Sequence, residues 1–189
     1  MKYLKFLLII SLITSTVACK KNRYPEVENS ANAQFTRTAA TGTSAAAYNT
    51  FTLSKASPAV TDPFLLKVIE SGNVKTVSVM VDYRKAATPN VSTYTQKYAD
   101  ITSWPQTYTA SLNSLVALFA TNGLTLASLT TTIPAVPAAP GVPAKAEIPG
   151  DRFVFRIVIT LNSGTVISEQ AALLNAAPYA ITLTYIVGA

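Results

Sequence analysis

The sequence predicts an all-β fold: an immunoglobulin-like antiparallel β-sandwich with one short helix, preceded by a signal peptide and a flexible tether. Three observations predict it. Apolar and polar residues alternate with a period of two in three segments, Val77–Tyr83, Phe153–Leu161 and Ile181–Val187, so each offers one face to a core. Turn residues divide the chain into about seven strand-like runs. Helical spacing of apolar residues occurs only around Leu115–Phe119. A small closed barrel is the alternative arrangement of the same strands.

The chain of 189 residues has room for one domain and an appendage. Lys2 and Lys5 precede the apolar run Phe6–Ile13, and small residues follow. Leu4–Val17 spans 14 residues, short of the roughly 20 that a membrane-crossing helix needs. The pattern is that of a signal peptide over residues 1–18. Its cut falls immediately before Cys19, the one cysteine of the chain. Thr16-Val17-Ala18-Cys19 resembles the bacterial lipobox, with Thr16 where Leu is usual. That resemblance implies lipidation of Cys19 and stable attachment to a membrane. An ordinary signal peptide with an incidental thiol is the alternative.

Residues 19–43 are rich in Asn, Thr, Ala and Ser and show no sustained period, the composition of a flexible tether. The sandwich is expected over 44–189. Tyr48–Leu53 carries the aromatic and β-branched residues that strands favour. Phe64–Ile69 is an apolar run closed by Ser71-Gly72-Asn73, which predicts a hairpin with Val77–Tyr83. Strand propensity returns at Ser92–Tyr98 and Gln106–Leu112. Asn113 or Ser114 then caps a short helix that ends near Gly123. Pro134, Pro137, Pro140, Pro143 and Pro149 make 130–149 an extended Pro/Ala-rich loop, because proline lacks the amide donor that a ladder needs. Arg152–Leu161 is the clearest strand. Asn162-Ser163-Gly164 turns it back into Thr165–Ser168, and Ile181–Val187 is the last strand.

The lipobox, the threonine-rich tether, Val77–Tyr83, Trp104, Leu115–Phe119, Gly150–Arg156, Thr160–Gly164 and the Tyr179–Val187 strand together resemble small Bacteroidetes lipoproteins. Such proteins are encoded beside SusC/SusD-type outer-membrane uptake systems. The resemblance implies a lipid-anchored outer-membrane protein that serves nutrient capture, with a SusC/SusD-type transporter as partner. Its shared motifs are turns and strand faces, so a glycan-binding role follows by association only.

The residue inventory excludes much chemistry. Without histidine there is no Ser-His-Asp or Cys-His nucleophile system and no histidine-ligated zinc, and one cysteine cannot make a thiolate metal site. The nine acidic residues form no calcium-loop pattern, and no phosphate-binding glycine motif is present. No catalytic residue, metal or cofactor is expected. Losing Lys2 and Lys5 with the leader takes the net charge from +6 to +4. That charge, with no basic helix or stripe, is not a nucleic-acid footprint.

Binding is the open class. Sugars stack their C–H faces on flat aromatic rings, which directs attention to Trp104 beside Pro105, with Tyr94, Tyr98 and Tyr108 nearby in sequence. The competing reading places Trp104 as a plug in the core. The sequence therefore predicts a non-catalytic accessory module that binds a glycan or nutrient. The alternative is a structural subunit docking on a transporter. Arg152 and Arg156, opposite Phe153 and Phe155, are expected to be solvated or paired with Asp82 or Glu169.

Overall fold

Strands form where the alternation lies, and their buried faces meet as two sheets. The computed structural model describes residues 31–37, 49–69, 73–132, 135, 137, 146–167 and 179–189. Cys19 lies outside the described residues. In chain order the strands are β1 (Asn32–Arg37), β2 (Thr50–Ser54), β3 (Thr61–Ile69), β4 (Val74–Arg84), β5 (Tyr94–Ile101), β6 (Gln106–Ser111), β7 (Arg152–Leu161), β8 (Val166–Ile167), β9 (Tyr179–Ala180) and β10 (Thr182–Gly188). One sheet has the order β6-β3-β1-β9. The other has β2-β10-β7-β4-β5, with β8 returning along β7. Every pairing is antiparallel except that of β2 with β10.

The inner faces are those the period of two requires. Val77, Val79, Val81 and Tyr83 of β4 are buried, as are Phe153, Phe155, Ile157, Ile159 and Leu161 of β7 and Leu183, Tyr185 and Val187 of β10. Phe155 is the hub between the sheets. Its ring centroid lies 5.2 Å from Phe64 on β3, 6.4 Å from Phe35 on β1 and 5.5 Å from Tyr185, all edge-on. Full burial of one such side chain is worth about 1.5–3 kcal/mol.

Three expectations need correction. Asn32–Arg37 is a strand of the sandwich, not part of the tether, so the domain begins before residue 44. Its composition hides it: Ala33, Gln34, Phe35 and Arg37 are all buried, but only two of them are apolar. Arg37 is acceptable inside because its guanidinium makes two 2.8 Å bonds to the buried Asp62 and lies 4.6 Å from the Phe51 ring centre. Next, β3 and β4 do not form a hairpin: β3 pairs with β1 and β6, while β4 pairs with β5 and β7 in the other sheet. A turn signal reverses the chain without choosing its partner, and 70–72 lie outside the described residues. Finally, the helix α1 (Leu112–Leu118) is capped by Ser111. The Ser111 hydroxyl accepts from the Ser114 amide at 3.1 Å, and the Ser114 hydroxyl accepts from the Ser111 amide at 3.0 Å. This reciprocal box ends β6 and starts the helix within one residue. A 3-10 turn, Ala120–Asn122, follows, and Gly123 at φ 78° occupies the left-handed conformation that glycine adopts freely.

Candidate functional site

The aromatic residues singled out in the sequence do not make one platform. Tyr94 pairs with Tyr83 at one end of β5, whereas Ile101 pairs with Val77 at the other, and Trp104 follows Ile101. Seven residues of strand separate these ends by roughly 23 Å. Tyr94 is stacked on Tyr83 at 6.1 Å. Tyr98 and Tyr108 do meet, edge-on at 5.8 Å, and both rings lie against Phe64. Tyr98 gets there through a bulge: Lys97 faces Met80 and Ala99 faces Val79, leaving Tyr98 as the extra residue. Its hydroxyl donates to the Thr109 carbonyl at 3.0 Å, joining the edge strands β5 and β6 of the two sheets. Burial raises the pKa of Tyr98, with Tyr108 adding to the effect. Trp104 is half-buried and packed on the core. These residues seal the lateral edge of the sandwich.

The buried carboxylates are also engaged. Asp62 accepts from Arg37 twice and from the Tyr185 hydroxyl at 2.7 Å. Asp82 accepts from Thr95 at 2.7 Å and from the Arg156 Nε at 3.1 and 3.2 Å. Burial alone would raise the Asp82 pKa, but the Thr95 and Ser92 hydroxyls and the Arg156 charge outweigh it and hold it below the usual carboxylate range. Carboxylates so occupied tie strands and faces together. Among the described residues no group of three or more His, Cys, Asp or Glu gathers as a metal site.

The most built feature is at the end of the sandwich where β4 and β10 finish and β7 begins. There the Gly150-Asp151 pair turns the chain into β7. Asp151 is buried and accepts from the Tyr83 hydroxyl at 2.6 Å, the Ala86 amide at 2.8 Å and the Thr130 amide at 3.0 Å. Its own backbone is bonded to Thr130 and to Val187. One side chain therefore fixes two loops and the end of β4. Gly150 is required beside it: a Cβ there would collide with the Val187 carbonyl oxygen and sit 2.8 Å from that of Thr130. Burial, then Asp151, pushes the Tyr83 hydroxyl far above the ordinary tyrosine range, so it remains a donor.

This clamp floors a pocket of about 310 Å³ lined by Tyr83, Lys85, Ala86, Ala87, Ser128, Thr130, Ile148 and Asp151. Lys85, Ala87, Ser128 and Ile148 are exposed on its rim. The Lys85 ammonium has no hydrogen-bond or ion-pair partner among the described residues. Ser128 is held by Thr125, donating to its carbonyl at 2.8 Å. A fixed floor, a free cation, hydroxyls and the apolar surface of Ala86, Ala87 and Ile148 suit a small, oxygen-rich molecule. Sequence reasoning missed this site because its parts come from three separated segments. The one local signal was Gly150-Asp151, which by itself marks only a turn.

Among the described residues no helix is long and apolar enough to cross a membrane. Comparison with family models, with curated proteins and with solved structures gave no match to this chain.

Proposed function

We propose that this protein is a non-catalytic cell-envelope lipoprotein, anchored in the outer membrane through Cys19, whose sandwich binds a glycan or similar nutrient at the Lys85–Ser128–Ile148 pocket. The observation that carries the reading is the pocket's construction: its acidic floor is saturated by internal hydrogen bonds, while its rim keeps a free ammonium beside apolar surface. That combination favours holding a ligand over transforming it. The immunoglobulin-like reading draws support from the strand order, in which the first two strands divide between the sheets and β2 runs parallel to the last. Anchoring draws its support from the leader and the lipobox resemblance, which lie outside the described residues.

Two experiments test the parts separately. A fatty-acid probe fed to expressing cells should label the wild type and leave Cys19→Ala unlabelled; equal labelling of both removes the anchor. In affinity electrophoresis against a polysaccharide panel, the wild type should be retarded by at least one gel. Lys85→Ala should then lose that retardation with its thermal midpoint unchanged. A folded wild type that ignores the whole panel would overturn the binding role.

A further inference from the structure

Arg84, which ends β4, and Arg152, which opens β7, are direct cross-strand partners on the outer face of the six-stranded sheet. Like charges placed opposite one another repel and lower stability. The carboxylate at hand is Asp82, one step along the same face of β4, and it is already shared. Arg156 holds it at 3.1 Å and Arg84 reaches it at 3.4 Å, so two guanidinium groups already share one acid. Arg152 has no ion pair among the described residues. The Nε atoms of Arg84 and Arg152 are both screened from water and lack a hydrogen-bond partner. An unsatisfied donor on a charged group is costly, and here two such groups face each other across one strand pair. Across β10 the same face continues with Ile186 opposite Arg152 and Thr184 opposite Val154.

We propose that the Arg84–Arg152 pair is an anion site for the acidic group of a glycan, either a uronate carboxylate or a sulfate ester. The proposal rests on the glycan reading above and narrows it to acidic chains. Guanidinium forks match the paired oxygens of such groups, and an anion between them cancels the repulsion that the sheet otherwise carries. The location fits as well, since Arg84 directly precedes Lys85 of the pocket and Arg152 directly follows Asp151.

The test compares polygalacturonate, dextran sulfate and neutral dextran as probes for the mature chain, by affinity electrophoresis at fixed salt. The wild type should be retarded by an acidic polymer and less by dextran. Arg84→Gln/Arg152→Gln should weaken acidic binding about tenfold or more, the scale of a lost charge-assisted bidentate contact. Its thermal midpoint should hold or rise, because the repulsion is gone. Lys67→Gln/Lys75→Gln removes the same charge from exposed sites elsewhere and should bind as the wild type does. Arg152→Lys keeps the charge without the fork and should weaken binding partially; this variant decides the matter if the double arginine variant fails to fold. Equal losses in the lysine control, or none in the arginine variants, overturn the proposal. Binding to dextran alone overturns it too, while leaving the glycan reading intact. Binding to no polymer overturns both. Arginine-dependent capture on phosphatidylglycerol vesicles with no polymer bound overturns it in favour of a lipid headgroup.

Discussion

Tyr185 on β10 donates its hydroxyl hydrogen to Asp62 on β3 at 2.7 Å, a bond between the two sheets that joins residues 123 positions apart. Asp62 also carries the buried Arg37 guanidinium, so a charged pair in one sheet is completed by a neutral donor from the other. Burial, then the Asp62 charge, raises the Tyr185 pKa far beyond the usual tyrosine range.

Tyr185→Phe keeps the ring against Phe155 and Phe51 and removes only this bond. It should cost about 1–3 kcal/mol in a urea melt, because a buried charged acceptor loses a donor. A change under about 0.5 kcal/mol would deny the bond a part in holding the sheets together. The sign at high pH follows from the raised pKa. The contribution is complete below the unfolded tyrosine value near pH 10 and is lost as pH rises toward the folded one. The variant should therefore soften the alkaline fall in stability.

Acid should act through Asp82. Its folded pKa lies below the unfolded one, so over the interval between them the unfolded chain binds more protons and stability rises with pH. The contribution is present above about pH 4 and disappears as pH falls through the folded value. Asp82→Asn should flatten that part of the profile, measured by thermal midpoints across an acid series. An unchanged acid limb in the variant would show that Asp82 is not the group responsible.

Trp104→Ala should behave as a packing variant. Trp104 is half-buried against the core, so truncation should cost about 1–3 kcal/mol, below the 3–5 typical of a fully buried tryptophan. Polysaccharide retention by the remaining folded protein should stay at the wild-type level. Lost retention with an unchanged midpoint would return the ligand to the Trp104 edge.

What the sequence disclosed was whatever a local period can express. Phe153–Leu161 and Val77–Tyr83 announce their inner faces because period two forces alternate residues inward whatever the partner strand. β1 was hidden because its inner face, Ala33, Phe35 and Arg37, ends in a charged residue whose burial makes sense only once Asp62 of β3 bonds it, and because Gln34 on its other face is buried as well. Tyr98 was misleading for a related reason: a bulge breaks the alternation that would have marked it as inward. The pocket was beyond reach, since Lys85, Ser128 and Ile148 are distant in sequence and meet only through the Asp151 clamp. The Arg84–Arg152 pairing likewise depends on a register that neither strand encodes alone.

The placement of β10 between β2 and β7 has a consequence for the order of assembly. An inner strand of the larger sheet comes later in the chain than both of its neighbours, and it lies about 130 residues beyond β2. Until Thr182–Gly188 has emerged, β2 has no strand to lie on and β7 lacks its partner along Arg152–Arg156. The growing polypeptide is thereby kept from closing early. The sandwich becomes whole only when nearly all of its strands are present at once.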